Sequence, residues 1–104
     1  DNGSSFDNVT SPTASNLFGV TFGNDIFVAV GNSGNIVRST DNGSSFDNVT
    51  SPTGKNLFGV TFGNDIFLGV GQSGNIVRST DNGSSFDNAT SPTGNALYGV
   101  TSTD

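Results

Sequence analysis

The sequence contains no cysteine and no histidine. Disulfides, thiolate nucleophiles, imidazole general bases and the ordinary zinc sites are thereby excluded together, and no cofactor or metal is expected. Glutamate is missing too: all nine acidic residues are Asp, opposed only by Arg38, Lys55 and Arg78, for a formal charge of -6. Three scattered cations cannot line a phosphate backbone, so no nucleic acid is expected as a partner. Trp and Met are absent, and the hydrophobic share is 31% of 104 residues. Burial per residue is therefore thin unless partners add to it. The apolar runs are short and broken by Gly, so neither a transmembrane helix nor a signal peptide is read, and a soluble chain with no membrane partner is expected. Without cysteine the redox compartment cannot be read; a natural chain of this kind is expected outside the cell.

What is present is a repeat. Residues 1–40 and 41–80 match except at positions 14, 15, 28, 29 and 32, paired with 54, 55, 68, 69 and 72. A further copy starts at Asp81, reaches Leu97-Tyr98-Gly99-Val100-Thr101 and jumps to "STD", omitting the stretch equivalent to Phe62 through Arg78. Copies this alike imply recent duplication, consensus reconstruction or design, because natural repeats drift apart.

Each unit reads as strands and turns. Asn16 through Phe22 and Ile26 through Val30 are joined by Gly23-Asn24-Asp25, a hairpin-type connection. Gly31-Asn32-Ser33-Gly34 then turns the chain into Asn35 through Thr40, and Asp41-Asn42-Gly43 leads to a fourth strand, Phe46 through Thr50. The first two strands are the most apolar and are expected innermost; the fourth is the most polar and is expected outermost. Ser51-Pro52-Thr53-Gly54-Lys55 breaks the ladder and carries the chain onward. Four antiparallel strands per unit predict an all-β chain, a β-propeller built from 40-residue blades. A parallel β-solenoid also stacks near-identical polar repeats, but its rungs are shorter and need no reversing hairpins. The expected division is a fourth strand over 1–13, complete blades over 14–53 and 54–93, and the first strand of a further blade over 94–104.

The most regular stretch, "STDNGSSF", stands at 39–46 and 79–86, and the chain begins and stops inside further copies of it. Asp41 sits where the chain reverses and can accept backbone N–H bonds, Gly43 can take a positive φ, Ser39 adds a hydroxyl, and Phe46 can bury its ring beneath the turn. Ser79, Asp81, Gly83 and Phe86 repeat that set. The spacing S-x-D-x-G-x-x-F resembles the Asp-box, or BNR repeat, of β-propeller blades, where it lies on the hairpin between the third and fourth strands. Phe46 and Phe86 depart from the tryptophan common in that family. A structural turn clamp is the expected role of the four-residue set in each repeat. A calcium site at Asp41 and Asn42 would want several acidic ligands close together, which the stretch lacks.

Asp-boxes also occur in sialidases, and that resemblance implies an arginine cluster, a tyrosine nucleophile and acidic partners. Here Tyr98 merely replaces Phe18 and Phe58 of its sister repeats and reads as a core aromatic, while symmetry spreads Arg38 and Arg78 apart. No enzyme activity and no catalytic residue are expected, since identical copies do not create the unequal environments that separate an acid from a base. Recurring polar turns, for example at Asn32 and Gln72, leave a multivalent carbohydrate-binding propeller as the alternative function. The sequons Asn8-Val9-Thr10, Asn48-Val49-Thr50 and Asn88-Ala89-Thr90 read as outer-strand residues repeated with the unit.

Two blades cannot close a ring, and open sheet edges invite pairing. The partner expected is the chain itself, as a head-to-tail homo-oligomer, with a trimer supplying roughly eight or nine blade positions. The wording "FGVTFGNDIFVAVGNSGNIVRSTDNGSSFDNVTSPT" resembles designed symmetric β-propellers of the Cake and Scone type. That resemblance implies a designed or consensus self-assembling scaffold with no selected substrate.

Overall fold

The computed structural model describes residues 11–100, and within them the chain forms two four-stranded antiparallel sheets. The first runs β1 (Leu17–Gly23), β2 (Ile26–Gly31), β3 (Ile36–Ser39) and β4 (Asp47–Val49), neighbours in chain order. The second repeats it as β5 (Leu57–Gly63), β6 (Ile66–Gly71), β7 (Ile76–Ser79) and β8 (Asp87–Ala89). Residues 1–10 and 101–104, which hold most of the strand expected over 1–13, the first sequon and the closing "STD", lie outside the described residues. Residues 94–100, expected in a further first strand, carry no strand assignment.

Local chemistry explains the reversals. Asn24 and Asp25 both take positive φ, 51° and 64°, which two-residue hairpins need to match the twist of their strands, and Asn64 and Asp65 repeat this at 52° and 63°. The β2–β3 connection is a single 3-10 turn over Asn32–Gly34 with Ser33 at φ 58°. Gly34 is required there, because a Cβ would come within 2.0 Å of the Thr53 carbonyl oxygen. In β1 the register against β2 shifts between Leu17 and Gly19, so Phe18 is the extra residue of a bulge.

Side chains alternate across each sheet, and the two faces differ. Ile26, Val28, Val30 and Ile36 lie on one face of the first sheet and form a single core with Leu57, Val60, Phe67, Val77 and Phe86 of the second. Each such Val, Leu, Ile or Phe contributes about 1.5–3 kcal/mol when fully buried. The inner strands approach closest: a Cβ on Gly19 would stand 3.1 Å from Gly59 Cα.

Equivalent apolar residues of β1 and β5 are covered unequally: Val20 is 64% exposed and Phe22 49%, whereas Val60, the counterpart of Val20, is 8% exposed. The face of β5 that carries Val60 rests on the first sheet, and among the described residues nothing covers the same face of β1.

Candidate functional site

The two "STDNGSSF" stretches fold alike. Ser39, at the end of β3, is 1% exposed and serves as a hub. Its Oγ accepts the Gly43 N–H at 2.8 Å and donates to Asp41 Oδ1 at 2.8 Å. Asp41 Oδ1 also accepts the Ser45 N–H at 2.9 Å, and Oδ2 accepts the Ser45 hydroxyl at 2.6 Å. The Asp41 carbonyl accepts the Ser44 N–H at 3.2 Å, closing the turn. Asn42 and Gly43 take φ of 60° and 83° between these anchors. In the second sheet Ser79 binds Gly83 N–H at 2.9 Å and Asp81 at 2.8 Å, and Asp81 binds the Ser85 N–H at 3.0 Å and its hydroxyl at 2.5 Å.

Donors converging on a carboxylate favour its charged form. The Ser45 hydroxyl, then the Ser45 N–H and the Ser39 hydroxyl, hold the Asp41 carboxyl down at about 2 against an ordinary 3.8. The Ser85 hydroxyl, followed by that of Ser79, holds Asp81 down equally, at about 2. Both carboxylate oxygens are thus engaged by the turn itself, the wiring expected of a clamp. Ser45 and Ser85 were not singled out from the sequence; their signal was the second serine of the repeated "SS".

The aromatic members separate. Phe86 is 5% exposed and belongs to the core between the sheets, whereas Phe46 is half-buried, since the face it serves is the open one. Tyr98, read as a core aromatic, is 72% exposed and stacks on Phe58 at 5.1 Å between ring centroids, 30° apart. Phe58 in turn meets Phe18 at 5.7 Å. The reason is position: Tyr98 follows the second sheet as Phe58 follows the first, but no strands flank it among the described residues.

A second set of polar contacts crosses between the sheets. Arg38 Nε donates to the Asn82 carbonyl oxygen at 2.8 Å. Asn24 Nδ2 donates to Asp65 Oδ1 and to Asn82 Oδ1, both at 3.0 Å. Asn56 Oδ1 accepts the Ser33 N–H at 2.8 Å, so the turn at Asn32 faces the next sheet, and within the second sheet's own repeat Gln72 Oε1 accepts the Asn56 N–H at 3.3 Å. The sequon residues Asn48 and Asn88 donate to the carbonyls of Pro12 and Pro52, at 3.2 and 3.1 Å, fastening the crossing segments. These interactions span 16 to 58 residues of chain, which is why no local pattern announces them.

No family model matches the sequence, and no curated protein matches it. Among solved structures, the chain is similar to the β-propeller YCF48 from Cyanidioschyzon merolae, with a TM-score of 0.67 and 26% identity. The similarity covers 81% of this chain and 27% of that one, so this chain spans well under two thirds of its length. The all-β architecture of two four-stranded antiparallel sheets fits consecutive blades of a propeller.

Proposed function

We propose that the chain is an architectural module, two clamped propeller blades that associate head to tail into a closed homo-oligomeric ring, with no substrate selected. The observation that carries this reading is the inequality of equivalent residues. Leu57 is 0% exposed and Leu17 41%, although both head the same strand of the same repeat. On the other face Val28 is buried while Leu68, its counterpart, is half-exposed. One unit therefore offers two unlike faces that already fit each other once within the chain, and among the described residues one of each is left open.

Closure follows from symmetry: a head-to-tail contact between identical subunits makes a ring when the rotation closes. Three copies, the expected trimer, bring six whole sheets, within the typical range of about four to eight blades and fewer than the roughly eight or nine positions that counting partial repeats suggests. The "STDNGSSF" stretches act as Asp-boxes that hold each blade's hairpin, and the near-identity of the repeats supports a consensus or designed sequence. Light scattering on the full chain tests the reading. A particle of about three chain masses is expected. A monodisperse monomer, folded by circular dichroism at every concentration tried, overturns it.

A further inference from the structure

We infer that a second copy of the chain docks its first sheet onto the outer face of the second sheet, and that Arg78 sets the register by donating to the main-chain carbonyl of Asn42 in that second copy. The inference rests on the scaffold reading and names the contact that would make it specific.

The chain contains one example of this interface within itself. Arg38 reaches from the first sheet to the Asn82 carbonyl at 2.8 Å. A Cβ placed on Gly83 would lie 3.2 Å from Val28 Cγ2 and 3.4 Å from Arg38 Nε, so the clamped turn of the second sheet rests directly on Val28 and Arg38 of the first. The turn thus does more than end a hairpin. With Ser79 holding the Gly83 N–H and Asp81 holding Ser85, the carbonyl of the intervening Asn82 is presented to the neighbouring sheet by a fixed loop.

Both halves of that contact recur, unfilled among the described residues. Arg78 stands where Arg38 stands, opposite Asp87 as Arg38 is opposite Asp47, and it is exposed where Arg38 is half-buried. The Asn42-Gly43 turn has the backbone of its counterpart, φ 60° and 83° against 62° and 81°. A Cβ on Gly43 would nevertheless meet only Phe27, at 3.8 Å, within its own sheet. Leu17, Phe18, Gly19, Val20 and Ala29 line an apolar groove on the same open face. The face that fits such a groove is the one carrying Ile66, Leu68, Val70 and Ile76, because its equivalents Ile26, Val28, Val30 and Ile36 already cover the second sheet's version.

Residues 97–100 occupy part of the docking position. The Leu97 N–H donates to the Gly71 carbonyl at 2.9 Å, and Gly99 Cα would stand 3.4 Å from a Cβ on Gly59. Leu97 through Val100 repeat Leu17 through Val20 except for Tyr98. A docked β1 therefore replaces their contacts like for like and adds those of β2, β3 and the turn at Asn42, so the exchange favours the second copy.

The test is light scattering across a concentration series on the full chain and on Arg78→Ala, Lys55→Ala and Val20→Glu, each checked by circular dichroism. Loss of a charged hydrogen bond at the seam predicts that Arg78→Ala needs roughly tenfold to hundredfold more protein for half-assembly. Lys55→Ala removes the same charge from an exposed site away from the seam and should assemble as the parent does. Val20→Glu places a charge on the open face and should stay monomeric and folded. If the parent assembles and Arg78→Ala matches it, or if Lys55→Ala is equally weakened, the Arg78 contact is wrong while the scaffold stands. Assembly by Val20→Glu moves docking off the open face and also overturns the inference. A parent that remains monomeric throughout overturns the scaffold reading itself.

Discussion

Gly19 faces Gly59 across near backbone contact: a Cβ on Gly19 would lie 3.1 Å from Gly59 Cα and 3.2 Å from the Phe58 carbonyl oxygen. Both neighbours are backbone, so neither can rotate aside. Gly19→Ala must push the two sheets apart and should cost about 1–3 kcal/mol, the usual toll of overpacking. Urea unfolding measures it. Gly54→Ala is the contrast, since a Cβ there meets nothing within 4 Å and Ala14 already occupies the equivalent place. That variant should be neutral or gain up to about 1 kcal/mol through the unfolded chain.

At the clamped turn, Ser39→Ala should be the most damaging single change. It removes the acceptor of the Gly43 N–H from a residue only 1% exposed, at a cost of about 1–3 kcal/mol. Asp41→Asn should be milder than Asp41→Ala, because an amide oxygen can still accept the Ser45 N–H. Melting temperatures should fall in the order parent, Asp41→Asn, Asp41→Ala, and a chelator should leave the parent unchanged. Chelator sensitivity, with Asn as harmful as Ala, would instead mark Asp41 as a metal ligand.

Acid should weaken the fold within a defined window. Asp41 and Asp81 titrate at about 2 when folded against 3.8 ordinarily. A depressed folded value means the stabilisation is complete above the unfolded value and drains away as pH falls through the folded one. Melting temperature should therefore stay level from neutral pH to about 4 and then drop toward about 2. The Asp41→Asn and Asp81→Asn double variant should start lower and show a shallower drop; a drop as steep as the parent's would assign the acid sensitivity to other carboxylates.

Salt should strengthen assembly. Each copy carries -6, so like-charged subunits repel, and at physiological ionic strength the repulsion is screened beyond about 8 Å. Tyr98 provides the readout, being the sole tyrosine in a chain without tryptophan. Docking lifts it from Phe58, so its emission should change with protein concentration in step with particle mass, and the midpoint should move to lower protein as salt rises. An emission that ignores concentration while mass increases would mean that residues 97–100 stay in place.

The strands were legible because turns and alternation are local. Ile26 through Val30 was read as a strand and β2 runs Ile26–Gly31; the reversal at Asn24-Asp25 announced itself through residues that tolerate positive φ. The bulge at Phe18 left no comparable mark. Nor could composition say which apolar residues are covered: Val20 and Val60 sit in identical words and differ because only one has a sheet against it. The clamp was half legible, with Ser39, Asp41 and Gly43 visible in the motif and Ser45 hidden in its spacer. Arg38 looked like a strand cation because its acceptor, the Asn82 carbonyl, lies 44 residues away and is a main-chain atom that no side-chain pattern reveals.

The bond from the Gly43 N–H to Ser39 Oγ also bears on how the protein ages. Asn-Gly pairs deamidate readily in loose chain, because the glycine nitrogen attacks the asparagine side-chain carbonyl and closes a succinimide with loss of ammonia. In the fold that nitrogen is engaged at 2.8 Å by a buried hydroxyl, and the nitrogen of Gly83 is engaged at 2.9 Å by Ser79. Asn42 and Asn82 should therefore survive long incubation at mildly alkaline pH in the native protein and convert in urea, with Ser39→Ala exposing Asn42 alone. Peptide mass spectrometry reads the difference, and the same hydroxyl that fixes the turn becomes a preservative for its most perishable residue.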